Sequence, residues 1–315
     1  MTNQPTPRTI FAAAISVVFA VALPMTASAE QETPYSKINA AAAASPIEAT
    51  PLRGNLTMLS GSGGNITVFA GKDGLFLVDT GITVSQAKIE KALNDIQPGP
   101  ISYVVNTHWH WDHTDGNGWA HRDGATIIAQ AHTARHLTET IEVVEWGHTF
   151  PPAPTGYEPT ALIDKSRKIL FNGENVTINR YVDSHTDGDL AVYFPKADVL
   201  ATGDTYWNGI YPFIDYVEGG GIDGMIAAAN ENIDMADVDT LVVPGHGPVG
   251  SRATLIEYRD MLVAIRSRVA ALKASGLSLE AAIAAKPTAD YDAKWGGGVI
   301  SPALMTELVY RGVSN

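Results

Sequence analysis

Residues 107–113 have the sequence Thr107-His108-Trp109-His110-Trp111-Asp112-His113, which places three imidazoles and one carboxylate within six positions. A regular helix cannot point these four side chains in one direction, because residues one and two positions apart face different sides. A loop folded around a cation can do so. Imidazole and carboxylate form a donor set that suits Zn²⁺, with Mn²⁺ or Fe²⁺ as further possibilities. We therefore predict a metal site directly after the apolar run 101–105.

Strand and helix signals alternate on both sides of this loop. Short apolar or β-branched runs end abruptly in polar clusters, among them Thr202-Gly203-Asp204 and Pro244-Gly245-His246. Strands mixed with helices predict a layered α/β fold, and polar residues at strand ends indicate the rim of an active site. The predicted strands are 55–59, 65–70, 75–79, 101–106, 125–129, 199–201 and 240–243, and the predicted helices are 85–96, 133–141, 222–235, 251–275, 278–286 and 301–312.

The first residues have the pattern of a secretory signal. Arg8 precedes an apolar run over 10–25, and Ala27-Ser28-Ala29 offers a cleavage site. The run is shorter than the roughly 20 residues that span a bilayer, so we expect a cleaved signal peptide over 1–29 rather than an anchor. The protein would then be exported, either periplasmic or secreted. Residues 30–51 lack a sustained period and are expected to be an irregular lead-in, which leaves 52–315 as a single domain.

The composition narrows the possible partners. The chain holds 21 Lys and Arg against 34 Asp and Glu, a net charge of −13, and removal of a signal with one basic residue leaves −14. Nucleic-acid affinity comes largely from Lys and Arg, so we expect no nucleic-acid partner. With no cysteine, the chain has neither a thiolate ligand nor a cysteine nucleophile. We expect a small-molecule substrate and no membrane contact after signal removal, whereas the oligomeric state is not specified by the sequence.

The order of the polar motifs resembles that of the metallo-β-lactamase superfamily. His108-x-His110-x-Asp112-His113 is similar to the motif that defines the superfamily, and the resemblance extends over about residues 52–250. It implies a four-layer αβ/βα fold in which two mixed sheets are sandwiched between helices. The four other elements of the pattern occur in the expected order, at Asp79 in Leu77–Gly81, His185 in Ser184–Asp189, Asp204 in Thr202–Asp204 and His246 in Pro244–Gly247.

The resemblance also implies a dinuclear zinc centre. Asp204 would bridge the two metals, and Asp79 would hold the histidine-rich loop from outside the ligand set, with a simple turn cap as the alternative for Asp79. We assign the catalytic role to Asp112 and Asp204. The implied ligands are His108, His110 and His185 for one zinc, Asp112, His113 and His246 for the other, and Asp204 for both.

Electrostatics indicates what such a centre does. Two divalent cations bring four positive charges, whereas Asp112, Asp204 and a bridging hydroxide bring three negative ones, so one positive charge attracts a carbonyl or an anionic group. Metal binding lowers the pKa of the shared water from about 15.7 toward roughly 7, which provides a hydroxide nucleophile at neutral pH. We therefore expect a zinc hydrolase that attacks an ester, thioester, lactone or amide carbonyl without a serine or cysteine nucleophile.

Other functions fit the residues less well. A metallo-β-lactamase that hydrolyses β-lactam antibiotics generally has Cys or Ser where this chain has Asp204. The cysteine-containing lactamases also have Lys in place of Trp207, and an Asn of their oxyanion hole is replaced by Asp189. A non-catalytic periplasmic metal-binding module is the alternative of another class, and the complete ligand set argues against it. The aromatic residues that could line a substrate pocket are Trp109, Trp111, Tyr206, Trp207, Tyr211 and Phe213.

Overall fold

The computed structural model describes residues 1–4 and 32–314, and Thr33–Asn315 form one compact unit. The signal peptide predicted over 1–29 falls on residues 5–29, which lie outside the described residues. The strands are β1 (Glu48–Pro51), β2 (Leu56–Ser60), β3 (Ile66–Gly71), β4 (Gly74–Val78), β5 (Ile101–Val105), β6 (Thr126–Gln130), β7 (Ile141–Val143), β8 (His148–Phe150), β9 (Ala161–Ile163), β10 (Arg167–Phe171), β11 (Glu174–Arg180), β12 (Leu190–Phe194), β13 (Val199–Ala201), β14 (Leu241–Val243) and β15 (Gly250–Ser251).

Helices surround these strands. Short 3-10 helices cover Thr83–Ser85, Val144–Trp146 and Gly203–Thr205. Within residues 1–4 and 32–314, none of the helices combines the length and the apolarity that a membrane span requires. The α-helices are α1 (Pro34–Ala44), α2 (Gln86–Ile96), α3 (Trp111–Thr114), α4 (Asn117–Arg122), α5 (Ala131–His136), α6 (Ile222–Met235), α7 (Arg252–Ala274), α8 (Leu279–Ala284), α9 (Ala289–Trp295) and α10 (Pro302–Gly312).

Two mixed sheets form the centre of the fold. The first has the order β1-β2-β3-β4-β5-β6-β9, antiparallel from β1 to β4 and parallel from β4 to β9. The second has the order β10-β11-β12-β13-β14-β15, in which only the β13–β14 pair is parallel. Strands β7 and β8 form a separate antiparallel pair.

Side chains that alternate along the strands build the layers. Phe76 of β4 points between the sheets, where its ring centroid lies 6.0 Å from that of Phe194 on β12. Its neighbour Leu77 points outward and packs in a cluster with Ile89 and Leu93 of α2. Successive strand residues face opposite sides, so a strand buried on both faces is apolar throughout. Helices thus cover the outer face of each sheet, which confirms the predicted four-layer architecture.

The expectation of an irregular lead-in over 30–51 is wrong. Residues Pro34–Ala44 form α1, and Glu48–Pro51 form the edge strand β1, which pairs with β2. The Thr33 hydroxyl accepts a hydrogen bond from the Ser36 N–H, and Pro34 occupies the first turn, where its missing N–H costs nothing. Alanine is the strongest helix former. An alanine-rich segment with a capping residue therefore forms a helix although it lacks an amphipathic period.

The helix predicted over 133–141 is also wrong in extent. Helix α5 covers only Ala131–His136, and Ile141 begins strand β7. The long helix predicted over 251–275 is confirmed as α7, with Ser251 as its N-cap. Several polar motifs follow strands that end at the same side of the sheets: His108 comes after β5, Asp204 after β13 and His246 after β14. Parallel pairing within each sheet brings such strand ends together.

Candidate metal centre

All seven side chains predicted as metal ligands lie together beyond these strand ends. They form two groups, and within each group one nitrogen or oxygen per residue lies within 4.8 Å of the others. The groups match the two implied ligand sets. Only His246 is partly exposed, with 16% of its side chain accessible. The first group comprises His108, His110, His185 and Asp204, and the second comprises Asp112, His113 and His246.

The Asp204 carboxylate lies between the two groups. Its Oδ2 atom is 3.4 Å from Nε2 of His185, in the first group, and 3.3 Å from Nε2 of His246, in the second. Its Oδ1 atom is 3.1 Å from Nε2 of His113. Asp112 closes the second group, with its Oδ2 3.4 Å from the same His246 nitrogen. A single buried carboxylate therefore faces histidines of both groups, as a bridging residue would.

Asp79 accepts hydrogen bonds from two residues of the histidine-rich loop, on the side away from the metal centre. Its Oδ2 atom accepts hydrogen bonds from Nδ1 of His113 at 2.8 Å and from the Thr107 hydroxyl at 2.8 Å, and its Oδ1 accepts the Thr107 N–H at 2.7 Å. Because the Thr107 hydroxyl donates to Asp79, its oxygen accepts the Nδ1 proton of His108, 3.0 Å away. These contacts to Nδ1 direct the Nε2 atom of both histidines towards the centre.

Two groups that the sequence did not single out orient the remaining buried histidines. Nε2 of His110 donates to Oδ2 of Asp215 at 3.0 Å, which leaves Nδ1 facing inward. Nδ1 of His185 donates to the backbone carbonyl of Phe213 at 2.9 Å, which leaves Nε2 facing inward. Asp215 also accepts a 3.3 Å hydrogen bond from Trp109 Nε1. No spacing signal marks Asp215, since it acts on a residue 105 positions earlier in the chain.

The donor geometry fits a metal pair. Inward nitrogens of His108 and His185 lie 3.0 and 2.9 Å from Nδ1 of His110, and those of His113 and His246 lie 3.4 Å apart. Tetrahedral zinc with bonds of about 2.0–2.1 Å separates its nitrogen ligands by about 3.3 Å. Among the described residues, Oδ1 of Asp204 is buried and has no hydrogen-bond partner. Imidazole nitrogens and carboxylates packed this closely repel one another unless protons or a metal cation lie between them.

The electrostatics also favour a positive charge in this place. Burial lowers the pKa of His185 to about 4 and that of His108 well below its ordinary value, so both remain neutral ligands. Burial opposes the charge of His113 as well, but the carboxylates around it prevail and raise its pKa well above the ordinary value. Burial would raise the pKa of Asp204, yet the surrounding histidines hold it well below. Either protons or metal ions must neutralise these carboxylates.

Glycines allow the ligands to approach the backbone this closely. A Cβ atom at Gly245 would overlap Oδ1 of Asp204 and lie 2.8 Å from the Gly203 carbonyl carbon. A Cβ atom at Gly64 would overlap the His113 ring. Both positions lie in turns that follow or precede a strand, where the backbone itself forms the floor of the centre. Glycine is required here for space rather than for flexibility.

A cavity of about 310 Å³ opens onto the metal centre, at the side chains of His110, Asp112, Asp204 and His246. Two of the six aromatic candidates, Trp111 and Trp207, line it, together with the unpredicted Trp146. Trp109 instead lines a neighbouring cavity. The other three lie in the hydrophobic core: Tyr206, Tyr211 and Phe213.

The two positions that argued against a lactamase have clear structural roles. Trp207 packs on the ligand His246, with 4.2 Å between the ring centroids. Asp189 does not face the cavity, because it accepts hydrogen bonds from the Ser184 hydroxyl, the Thr186 N–H at 2.8 Å and the Thr186 hydroxyl at 2.7 Å. These bonds fold the loop that carries His185. Neither residue offers a cation or an amide donor to a substrate.

Family and fold comparisons agree with this geometry. A model of the metallo-beta-lactamase superfamily matches residues 59–254, more than half of the chain. Among solved structures, the stereoselective inverting sec-alkylsulfatase Pisa1 from Pseudomonas sp. has a TM-score of 0.61 at 19% identity, over 84% of this chain and 50% of that one. This chain therefore spans about half the length of the sulfatase. A metallo-beta-lactamase from Pontibacter korlensis has a TM-score of 0.55 at 19% identity, over 69% of this chain and 99% of that one.

Proposed function

This chain belongs to the metallo-beta-lactamase superfamily and is a metal-dependent hydrolase, and on that premise we propose that it uses two zinc ions to hydrolyse a carbonyl substrate. The proposed substrates are esters, thioesters, lactones and amides. One observation carries the proposal: five imidazole nitrogens face inward around the Asp204 carboxylate, which lies within 3.4 Å of histidines of both groups. Imidazole and carboxylate donors also bind Mn²⁺ and Fe²⁺, which are therefore the alternative ions.

The chain's own residues prepare the site for this reaction. When bound, a zinc pair lowers the pKa of a water molecule toward roughly 7 and polarises the carbonyl. Asp204 and Asp112 would hold the ions at the cavity, which both carboxylates line. Asp79 and Asp215 fix the ring orientations of His113 and His110 by the hydrogen bonds described above. Trp111, Trp146 and Trp207 give the cavity beside the centre an apolar lining.

Sulfate esters and β-lactams are the substrates against which this proposal must be compared, because the similar solved structures include a sec-alkylsulfatase and metallo-beta-lactamases. Efficient binding of a β-lactam carboxylate is disfavoured by Trp207, which takes the place of a lysine in the cysteine-containing lactamases. No Lys or Arg of the described residues lines the cavity. A carbonyl substrate needs no such cation, and we therefore place it first.

Metal analysis and one substitution test the proposal. We expect about two zinc ions per purified chain, and hydrolysis of at least one ester, thioester, lactone or amide. Asp204→Ala should reduce the metal content and lower kcat/KM by about a hundredfold or more, since it removes the carboxylate shared by both groups. Asp123→Asn, an exposed carboxylate after α4, should leave both quantities unchanged. Elemental analysis and initial rates provide the measurements.

Two results would contradict the proposal. Asp204→Ala with wild-type rates would reject the role of this carboxylate, and a fully zinc-loaded protein without turnover would revive the non-catalytic metal-binding module. If the protein hydrolyses only sulfate esters or β-lactams, the proposed zinc centre stands and the proposed substrate class is wrong.

We also propose that the protein is exported. Arg8, the apolar run over 10–25 and the Ala27-Ser28-Ala29 site support a cleaved signal. Cleavage after Ala29 would leave α1 intact, because that helix begins at Pro34. The intact mass of the protein recovered from the producing cells tests this, and a mass that includes residues 1–29 would reject cleavage.

A further inference from the structure

The N-terminal helix α1 forms one wall of the cavity at the metal centre. Ile38 and Ala41 of α1 line it, and Trp111, Trp146 and Trp207 line it as well. Apolar atoms therefore dominate the surface above the metal ligands. The cavity has a volume of about 310 Å³.

Contacts from the body of the fold fix α1 in this position. The Lys88 ammonium donates to the backbone carbonyls of Ala42 at 2.7 Å and Ala43 at 2.9 Å, and the Ser85 hydroxyl donates to the Ala42 carbonyl at 3.0 Å. At the other end of the helix, Tyr35 stacks on His148 with 3.7 Å between ring centroids. The wall is thus anchored at both ends, and the cavity has a defined apolar shape.

Charge distribution disfavours an anionic substrate group. Among the residues that the structure describes, no Lys or Arg lines the cavity. Asp112 and Asp204 face the cavity, while Asp79 and Asp215 lie directly behind His113 and His110. Asp79 and Asp215 were not included in the charge count made from the sequence; with them, four carboxylates cancel the charge of two divalent ions, and the single positive charge expected from the sequence is lost. An anionic group would therefore enter an apolar cavity without a cationic partner, at a considerable desolvation cost.

We infer that the substrate is an uncharged ester, thioester or lactone whose short apolar group packs between α1 and the three tryptophans. This inference rests on the proposed function, since it names the substrate class of the same site. Specificity would come from the apolar wall and from the absence of a cation, and Ala41 would be a specificity-determining position.

Binding to the metal-free protein tests the apolar site independently of turnover. Hexanamide and adipic acid monoamide have the same chain length, and only the second carries a terminal carboxylate. We expect hexanamide to change the tryptophan emission with a dissociation constant at least about tenfold lower than that of the monoamide. With the zinc-loaded enzyme, we expect the phenyl ester of hexanoic acid to be hydrolysed with a higher kcat/KM than the monophenyl ester of adipic acid.

A charge added to the wall should weaken this preference. Ala40 and Ala41 of α1 are both exposed, but only Ala41 lines the cavity, so Ala41→Lys adds a cation at the rim of the cavity and Ala40→Lys adds the same charge away from it. We expect Ala41→Lys, but not Ala40→Lys, to reduce the hexanoyl over adipoyl preference by about two- to fivefold, the effect of one partly exposed ion pair.

The outcomes separate the two hypotheses. Equal or tighter binding of the monoamide, faster hydrolysis of the adipoyl ester, or equal effects of the two lysine variants would overturn the inference while the hydrolase stands. Absence of all ester hydrolysis, combined with selective hexanamide binding that Ala41→Lys weakens, would reject the proposed function and support the apolar, uncharged character of the site.

Discussion

At the scale of single residues, the centre depends on which atom of each ligand points inward. Imidazole offers two nitrogens, and the choice between them is made by an acceptor outside the ligand set: Asp79 for His113, Asp215 for His110 and the Phe213 carbonyl for His185. These partners make neutral histidines into preoriented ligands. The glycines of the site matter equally. A ligand side chain can pack directly against the backbone only where a glycine has no Cβ atom in the way.

Gly245→Ala tests this steric requirement. Its methyl group would overlap Oδ1 of Asp204, so we expect the variant to lose metal affinity by at least about tenfold while its far-ultraviolet circular dichroism remains that of the wild type. Gly297→Ala is the matched control, since a Cβ atom there meets nothing within 4 Å and its φ is not positive. Unchanged metal affinity in Gly245→Ala would show that Asp204 can move away without consequence.

Asp189 contributes a pH dependence to stability. Burial raises its pKa to about 6, although hydrogen bonds from Ser184 and Thr186 oppose this, whereas the value in an unfolded chain is about 3.9. The folded state therefore retains the proton between these two pH values. Stability from this group is present at low pH and is lost as the pH rises through about 6.

Asp189→Asn should remove that dependence. In the metal-free protein, we expect the wild-type free energy of unfolding to decrease relative to the variant by up to about 3 kcal/mol between pH 4 and 6.5. Urea denaturation at several pH values measures the difference. The exposed Asp183→Asn variant, in the same loop, should follow the wild type. A wild-type and Asp189→Asn difference that is constant with pH would contradict the raised pKa.

At the scale of elements, helix α1 depends on contacts that α2 provides. Lys88 of α2 donates three hydrogen bonds to carbonyls at the end of α1, those of Ala42, Ala43 and Ser45. The last carbonyls of a helix lack intrahelical donors, and a cation there also interacts favourably with the helix dipole. Since α1 forms a wall of the cavity, a single lysine links helix capping to the shape of the site.

Lys88→Met should therefore destabilise the protein by about 1–3 kcal/mol, as expected for lost hydrogen bonds from a charged donor. Urea denaturation measures this loss. Lys91→Met removes a lysine of the same helix that pairs only with Asp95 at the surface, and it should change stability by no more than about 0.5 kcal/mol. Equal stabilities of the two variants would mean that the capping contacts contribute nothing.

The second sheet contains strands that are harder to recognise in the sequence than those of the first. Strands β10 to β12 are absent from the predicted set. Strand β10 has a weak pattern, because Arg167 and Lys168 are exposed and only Ile169 and Phe171 are buried, whereas the apolar run of β12 was overlooked although four of its five residues are buried. A usable signal was present, since Asn172-Gly173 forms the turn between β10 and β11 with positive φ at both residues. This dipeptide is typical of tight hairpins. By contrast, β3, β4 and β5 were predicted, because their apolar runs are buried on both faces.

At the scale of the whole molecule, the metal centre joins the two sheets. Asp79 and His108 follow β4 and β5 of the first sheet, whereas Asp204 and His246 follow β13 and β14 of the second. Bound ions therefore cross-link parts of the chain that are otherwise held by the apolar interior between the sheets. A ligand that binds only the folded state stabilises it by RT ln(1 + [L]/Kd), where [L] is the free ligand concentration.

Metal removal should lower stability without abolishing the fold. If free zinc exceeds its dissociation constant about a thousandfold, chelation removes about 4 kcal/mol for each ion displaced, and 4 kcal/mol corresponds to about 7 °C in Tm for a protein of this size. Thermal denaturation with and without a chelator measures the shift. The Asp204→Ala variant should shift much less under the same treatment. Identical Tm values for the chelated and zinc-loaded wild type would contradict a metal-dependent cross-link.

The sequence by itself determined the superfamily, the layered α/β class and the identity of the seven clustered side chains. It did so because ligand chemistry and strand-end motifs are local patterns, readable over a few residues. The spacing of His108, His110, Asp112 and His113 strongly restricts the conformation of the loop that carries them. An apolar run such as β4 is recognisable as a buried strand.

Only the tertiary structure decided what surrounds those ligands. The pairing of Asp215 with His110, the α1 wall and the choice of Trp146 as a lining residue depend on segments that are distant in sequence and meet through packing. A carboxylate far along the chain, an alanine-rich helix and a tryptophan in a short 3-10 helix carry no local mark of their role. Their function arises from burial and proximity, which the folded backbone alone specifies.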